Sequence, residues 1–408
     1  MDDKLTLFFG SKVARTLLDI CMIRLPTNAS LVPRIEPFHA ISISRLAHSL
    51  KAEGRDVIHM EFGQPSTGAP SKALKMAHEV LDRDGMGYWE SAALKEALAA
   101  RYKDLYHVAI APERIILTCG ASPALVLALS SAFEVGAVIA FARPGYVAYR
   151  NTVAALHLTP LEIACDHTNG FQISTAQIEA LDPAPAGLII ASPANPTGTI
   201  IPAQELRAIA DVCARRNIRI ISDEIYHGLT YAGAAHSMLE FSSDALIVNS
   251  FSKYFSMAGW RLGWLVAPDD LVDAASARMG NLFLTPPSLA QHAGLAALDC
   301  VDELEGHVTN YRANRALLLE ALPRMGLTRI APPDGAFYIY ADVGHMTDDS
   351  MALASALLLD TGVATAPGRD FDPVDGKKHL RFSFAASPPE IARAVARMEP
   401  WFNQLKTL

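Results

Sequence analysis

The segment Asn249-Ser-Phe-Ser-Lys-Tyr-Phe-Ser-Met-Ala-Gly-Trp-Arg-Leu-Gly263 carries one lysine, Lys253, between small hydroxyl residues, with Arg261 and two glycines just beyond. An apolar run, Ala245 to Val248, leads into it. A lysine on open surface is simply solvated. A lysine that follows a buried run and is ringed by anion-binding groups reads as a buried amine beside an anion such as a phosphate. An amine of that kind serves as a nucleophile toward a carbonyl.

Working outward, the run before Lys253 is one of a series. Strand-like runs lie at 114–118, 137–141, 187–191, 218–222, 245–248 and 262–266, with helical patterns such as 122–133 and 204–215 between them. Near-continuous apolar strands alternating with helices predict an α/β fold with a mostly parallel sheet covered on both faces. Four strands run directly into polar or glycine-bearing loops: Thr118-Cys-Gly-Ala-Ser122, Ser192-Pro-Ala-Asn-Pro-Thr-Gly198, Asp223-Glu-Ile-Tyr226 and Asn249 to Lys253. Open α/β sheets bind ligands at the carboxyl ends of their strands, so the fold brings these loops together. Before this region, a helix at 43–53 and a strand at 57–62 end in Gly63-Gln-Pro65, which has turn chemistry. After about Asp302 come a long helix (303–322), the turn Pro332-Pro333-Asp-Gly335, strands at 336–341 and 380–385, and helices at 350–361 and 389–405. This tail reads as a smaller α+β unit.

Composition narrows the class. With 408 residues, 50% of them hydrophobic, the chain can bury a large core in two or three domains. The net charge is −8, and Lys/Arg clusters are only pairs such as Arg215-Arg216 and Lys377-Lys378, so no basic face for nucleic acid is expected. The five cysteines (Cys21, Cys119, Cys165, Cys213, Cys300) are scattered without metal-ligand spacing, which predicts no metal site and thiols in a reducing cytoplasm. No apolar run approaches the ~20 residues of a membrane span. Residues 1 to about 30 fit a signal peptide poorly, contain a second possible start at Met22, and are read as an extension of unknown role.

Five motifs, in order, resemble those of the class I/II aminotransferases, fold type I of the pyridoxal-phosphate enzymes, from about Val32 to the C-terminus. The resemblance implies a large domain (67–302) with a mostly parallel seven-stranded sheet between helices. It also implies a smaller α+β domain built from both chain ends (31–66 and 303–408). The implied activity exchanges an amino group between an L-amino acid and a 2-oxo acid by a ping-pong mechanism, on pyridoxal 5'-phosphate, in a homodimer.

Residue by residue, Lys253 resembles the lysine that forms the Schiff base with the cofactor and then moves a proton at the substrate Cα. Asp223, which as a strand-end aspartate also suits a helix cap, resembles the carboxylate that keeps the pyridine nitrogen protonated. Tyr226 and Asn195 resemble the pair that bonds the cofactor O3′. Ser250, Ser252 and Arg261, with Ala121 and Ser122 at a helix start, match the phosphate site; Ser122 is equally suited to an N-cap. Tyr88 in Gly87-Tyr-Trp-Glu-Ser-Ala-Ala-Leu matches a tyrosine that reaches the phosphate from the partner subunit, although Ala92 or Ala93 stands where the family has a glycine. Tyr146 aligns with the aromatic that stacks on the ring, Tyr149 is its rival, and core packing accounts for either. Arg381 in His379-Leu-Arg-Phe-Ser-Phe384 resembles the arginine that grips the substrate carboxylate. Gly63 matches a glycine lining that pocket and is also an ordinary turn glycine. Phe337-Tyr338 reads equally as pocket lining or core.

Two other readings stay open. A β-eliminating C–S lyase or a decarboxylase of the same fold keeps every cofactor residue. A non-catalytic cofactor-binding sensor needs a DNA-binding domain ahead of the match, where only about 30 residues precede it. A second cation for a side-chain carboxylate (Arg34, Arg278 or Lys12) cannot be placed from sequence.

Overall fold

A computed structural model describes residues 35–405. The extension 1–30, Met22, Cys21, Lys12 and Arg34 lie outside the described residues. In chain order β1 (Ile58–Met60) comes first. It is followed by β2 (Ile115–Thr118), β3 (Val138–Arg143), β4 (Thr159–Ala164), β5 (Gly187–Ala191), β6 (Arg219–Asp223), β7 (Leu246–Ser250) and β8 (Gly263–Val266). The last three are β9 (Tyr338–Asp342), β10 (Val363–Pro367) and β11 (His379–Ser383).

Strands β2 to β8 form a seven-stranded sheet in the order β2-β8-β7-β6-β5-β3-β4. All neighbours are parallel except β8, which runs antiparallel to both β2 and β7. Adjacent residues of a strand point to opposite faces, and here both faces are dry. Ile116, Ile221 and Val248 pack in one apolar cluster with Leu125 and Leu129 of the helix Ala121–Ala132. Leu117, Ile220 and Ile247 pack in the other. Burial on both faces is why these strands read as continuous apolar runs rather than as an alternating pattern.

Register places the chemistry. Ala191 pairs with Asp223, and Asp223 pairs with Val248, so β5 and β6 end level and β7 runs two residues further, to Ser250. The Asn195 loop, Asp223 and the Lys253 loop therefore emerge side by side at one edge of the sheet.

The second sheet has four strands in the order β1-β10-β11-β9. Its N-side strand, β1, pairs parallel with β10, and the remaining pairs are antiparallel, so both ends of the chain build it, as expected. The helix His39–Ala52 has no side-chain cap of its own. Asp370, buried and distant in sequence, accepts hydrogen bonds from the His39 and Ala40 N–H groups, each at 2.7 Å. It thereby satisfies donors that a helix start leaves free. The next residue, Phe371, accepts at its carbonyl a 2.9 Å hydrogen bond from Gly145 N–H, tying this sheet to the loop after β3.

Two strands were not legible as strands. β4 is an edge strand, mostly exposed, with Pro160 and Glu162 in it, so it lacks an apolar run. β10, Val-Ala-Thr-Ala-Pro, is fully buried but short and ends in proline. Other boundaries shift by a few residues, as at the helix His39–Ala52, whose cap comes from the far end of the chain.

Replacing Asp370 by alanine is expected to cost about 1–2 kcal/mol of stability, the scale of a lost helix cap. The urea midpoint then falls and amide exchange at His39 and Ala40 speeds up, while exchange in β5 to β7 is unchanged.

Candidate active site

At the carboxyl ends of β5, β6 and β7 lies a cavity of about 330 Å³. The charged side chains that line it are Lys253, Arg261, Arg381 and Asp223. Three cations against one carboxylate leave a surplus of positive charge, and a site in that state favours anionic ligands.

Lys253 follows β7 and turns into the cavity, where its Nζ donates a 2.7 Å hydrogen bond to the Gly63 carbonyl. Burial and the nearby Arg381 guanidinium push its pKa down to about 8, against the opposing pull of Asp223. A neutral amine is the nucleophilic form, so this environment activates it. Asp223 closes β6. Burial raises its pKa, while hydrogen bonds from the Tyr149 hydroxyl and the Ile225 N–H favour the ionised form. Tyr149 Oη donates to Asp223 Oδ2 at 2.6 Å. Sequence reasoning had Tyr149 only as a rival for the stacking position; no local signal in the sequence links it to Asp223.

Another part of the cavity is built for an anion. Gly120, not Ser122, is the N-cap of the helix Ala121–Ala132, and no side chain caps it. The first N–H groups of that helix are left for a ligand. Gly120 has φ +100°, and a Cβ there would lie 2.4 Å from Arg261 Nη2, so only glycine lets the guanidinium close over the helix start. Ala121, Ser122, Ser252 and Arg261 all line the cavity. Ser250 does not. Its Oγ accepts the Ser252 N–H at 3.1 Å, which shapes the loop beneath.

Arg381 sits elsewhere on the cavity wall, in β11, 2% exposed. Its guanidinium lies between the rings of Tyr338 and Phe371, 4.3 and 4.6 Å from their centroids. It donates to Asn195 Oδ1 at 2.8 Å and to the Glu61 carbonyl at 2.5 Å, and its Nε has no partner. Among the described residues, no carboxylate pairs it. A buried cation without a counter-ion is costly, so the site is incomplete until an anion arrives. With Oδ1 committed to Arg381, Asn195 has its amide N–H₂ left to donate. Tyr226 and Tyr338 share a hydroxyl–hydroxyl hydrogen bond of 2.7 Å. A Cβ on Gly63 would fall 1.6 Å from the Tyr338 hydroxyl, so that position tolerates no side chain. Of the pair Phe337-Tyr338, only the tyrosine reaches the cavity; Phe337 is core.

Tyr146 lines the cavity and meets Tyr149 edge-on at 5.6 Å and 90°. Tyr88 is 84% exposed and is not brought to the cavity of its own chain. Arg278 bonds its own helix at Ala274 and does not line the cavity. Phe38 and Phe62 do line it, and the sequence marked neither. Among the described residues no cluster of metal-ligating side chains occurs and no helix is long and apolar enough to cross a membrane.

Residues 55–398 match the family model "Aminotransferase class I and II". The chain is similar to the valine–pyruvate aminotransferase of Mycobacterium tuberculosis, 41% identical over 90% of this chain and 96% of the relative. It is 32% identical to a (5-formylfuran-3-yl)methyl phosphate transaminase of Methanocaldococcus jannaschii, over 90% of this chain and 98% of that one. Among solved structures, an aminotransferase from Mycobacterium tuberculosis superposes with a TM-score of 0.89 at 40% identity, covering 94% of this chain and all of the other.

The lowered pKa of Lys253 has a direct readout. Because the neutral form reacts, reductive methylation of Lys253 in ligand-free protein, followed by mass spectrometry, should rise through about pH 8. Above that pH the labelling of Lys253 should level off, because its amine is then neutral.

Proposed function

The chain belongs to the class I and II aminotransferase family, and from that premise we propose that it moves an amino group between an α-amino acid and a 2-oxo acid on pyridoxal phosphate held in the cavity described above. The family is generally pyridoxal-phosphate-dependent, and the donor set fits that cofactor. Lys253 offers an amine for the aldehyde, and Asp223 a carboxylate for the ring nitrogen. Tyr146 covers a ring face, and Asn195 and Tyr226 bond the ring oxygen. Arg261, Ser252 and the N–H groups of Ala121 and Ser122 hold the phosphate. When bound, pyridoxal phosphate supplies an aldehyde for the amino group and a ring that accepts electrons from Cα.

The observation that carries the reading is Arg381, a buried guanidinium in the same cavity as Lys253 that no carboxylate among the described residues pairs. It binds the substrate carboxylate with its planar fork, which fixes Cα near the Lys253 amine. Lys253 is then the base that takes the Cα proton, and its pKa of about 8 suits the exchange near neutral pH. All three cations are occupied in this account: Arg261 by phosphate, Arg381 by carboxylate and Lys253 by catalysis. Among the described residues, the remaining wall includes Phe38 and Phe62 and adds no cation for a second carboxylate. We therefore assign the amino acid an uncharged, apolar side chain, in line with the valine named in the relative from Mycobacterium tuberculosis.

A homodimer fits the surface. Exposed Tyr88, Trp89, Leu282 and Leu284 flank one region, where Gln291 bonds the Trp89 and Pro286 carbonyls. The Thr285 carbonyl accepts from the Cys119 thiol, which joins this region to the phosphate end, and in the proposed dimer Tyr88 reaches the cavity of the second copy. In this reading the described residues of 31–66 and 303–408 on one side, and 67–302 on the other, make up the two domains, with the cavity lined from both.

Lys253→Ala is expected to abolish turnover of valine with pyruvate while the protein still takes up pyridoxal phosphate. Full activity in that variant would refute the mechanism. Arg381→Leu should lower kcat/KM on the order of 10²-fold or more, the scale of removing one partner of a buried charge pair. Valine should convert the cofactor absorption faster than aspartate at equal concentration. Release of ammonia and an oxo acid without any acceptor would instead mark an eliminating enzyme.

A further inference from the structure

We propose that Tyr149 is a positioning residue that holds Asp223 ionised and in place for the cofactor's ring nitrogen; the inference rests on the reading that the cavity binds pyridoxal phosphate. Tyr149 belongs to the helix Val147–Ala155 that follows β3, whereas Asp223 ends β6, and β5 lies between those strands in the sheet. The 2.6 Å hydrogen bond from Tyr149 Oη to Asp223 Oδ2 spans that gap. The other oxygen, Oδ1, accepts the Ile225 N–H at 3.2 Å. Each carboxylate oxygen thus has one fixed donor, and the carboxylate plane is set before any ligand arrives.

Tyr149 is itself immobilised. It is 5% exposed and packs edge-on against Tyr146 (90°) and against Phe141 at 64°. The two tyrosines of this segment therefore divide the work. Tyr146 faces the ligand, and Tyr149 braces both that ring and the carboxylate. The electrostatics agree in sign. Burial pushes the Tyr149 phenol well above its usual range, so it stays a donor, and its hydrogen bond opposes the upward push that burial exerts on Asp223. The other charged group acting on Asp223 is Lys253, which favours ionisation in the same sense.

The bland account is that Tyr149 is a core side chain whose hydroxyl found an acceptor. A double-mutant cycle separates the two. The readout is the affinity of cofactor-stripped protein for pyridoxal phosphate, measured for the wild type, Tyr149→Phe, Asp223→Ala and the double variant. Phenylalanine keeps the ring packing and removes only the donor. Loss of a hydrogen bond to a charged group should weaken binding about tenfold or more when Asp223 is present. The same change should alter affinity less than twofold in the Asp223→Ala background. Equal losses in both backgrounds, or no loss in either, would overturn the proposal. Should Asp223→Ala fail to fold, Tyr149→Phe alone still decides. Its affinity must fall away on acidification at a higher pH than in the wild type, and an unmoved acid limb would overturn the proposal. A wild-type chain that does not bind pyridoxal phosphate at all would instead sink the functional reading, and this one with it. Binding by the wild type without the Asp223-dependent loss sinks only the role of Tyr149.

Discussion

A guanidinium buried without a counter-ion is the constraint around which this molecule is arranged. Arg381 is 2% exposed, lies between two aromatic rings and, among the described residues, finds only neutral acceptors, Asn195 and the Glu61 carbonyl. Proteins seldom carry such a charge unless an anion completes it. The aromatic faces supply partial compensation through the ring quadrupoles. The rest must come from a ligand. That deficit favours anions in the cavity, and it also reaches Lys253, whose amine burial first, and then the same positive charge, makes easier to deprotonate. One arginine therefore bears on both the charge of the site and, together with burial, the reactivity of its amine.

The same logic extends to the scaffold. The cations come from β11 and from the segment that links β7 to β8, while Asp223 comes from β6. Holding like charges in one cavity works only if the surrounding backbone cannot relax them apart. Here that rigidity comes from a sheet dry on both faces, from the continuous pairing of β5, β6 and β7 up to the site, and from ties between the two sheets such as Gly145 to Phe371. Phe371 is also one of the rings against Arg381, so the contact that joins the sheets is continuous with the one that seats the cation.

Much of this was legible in the sequence because local signals and function coincide. Asp223 ends an apolar strand, Asn195 and Lys253 lie in loops just after such strands, Ser122 is in the first turn of the helix that follows β2, and Arg261 is further along the Lys253 segment; strand ends converge in an α/β sheet. Arg381 stood out as a charge inside an apolar strand. What was not legible depends on contacts distant in sequence. Nothing near Tyr149 announces that it will meet Asp223, 74 residues away. Asp370 caps a helix start 330 residues earlier. β4 lacked the apolar run of a buried strand because it is an edge, and Ser250, alike in composition to Ser252, faces into the loop rather than the cavity. Composition identifies a residue's chemistry, but which way it faces is decided by packing.

The turn at Glu61-Phe62-Gly63 shows how tightly the two halves of the site are joined. Its first carbonyl accepts from Arg381, its last accepts from Lys253, and the phenyl ring between them lines the cavity. Gly63 can take this place only because it has no Cβ, since the Tyr338 hydroxyl occupies that space while bonding Tyr226. Arg381 and Lys253 are therefore tied to one three-residue turn through neighbouring backbone acceptors, so the positions of the two cations are fixed relative to each other with no need for a distant relay. The segment that began as a lysine among hydroxyls is half of a pair whose other half is an arginine at the opposite end of the chain.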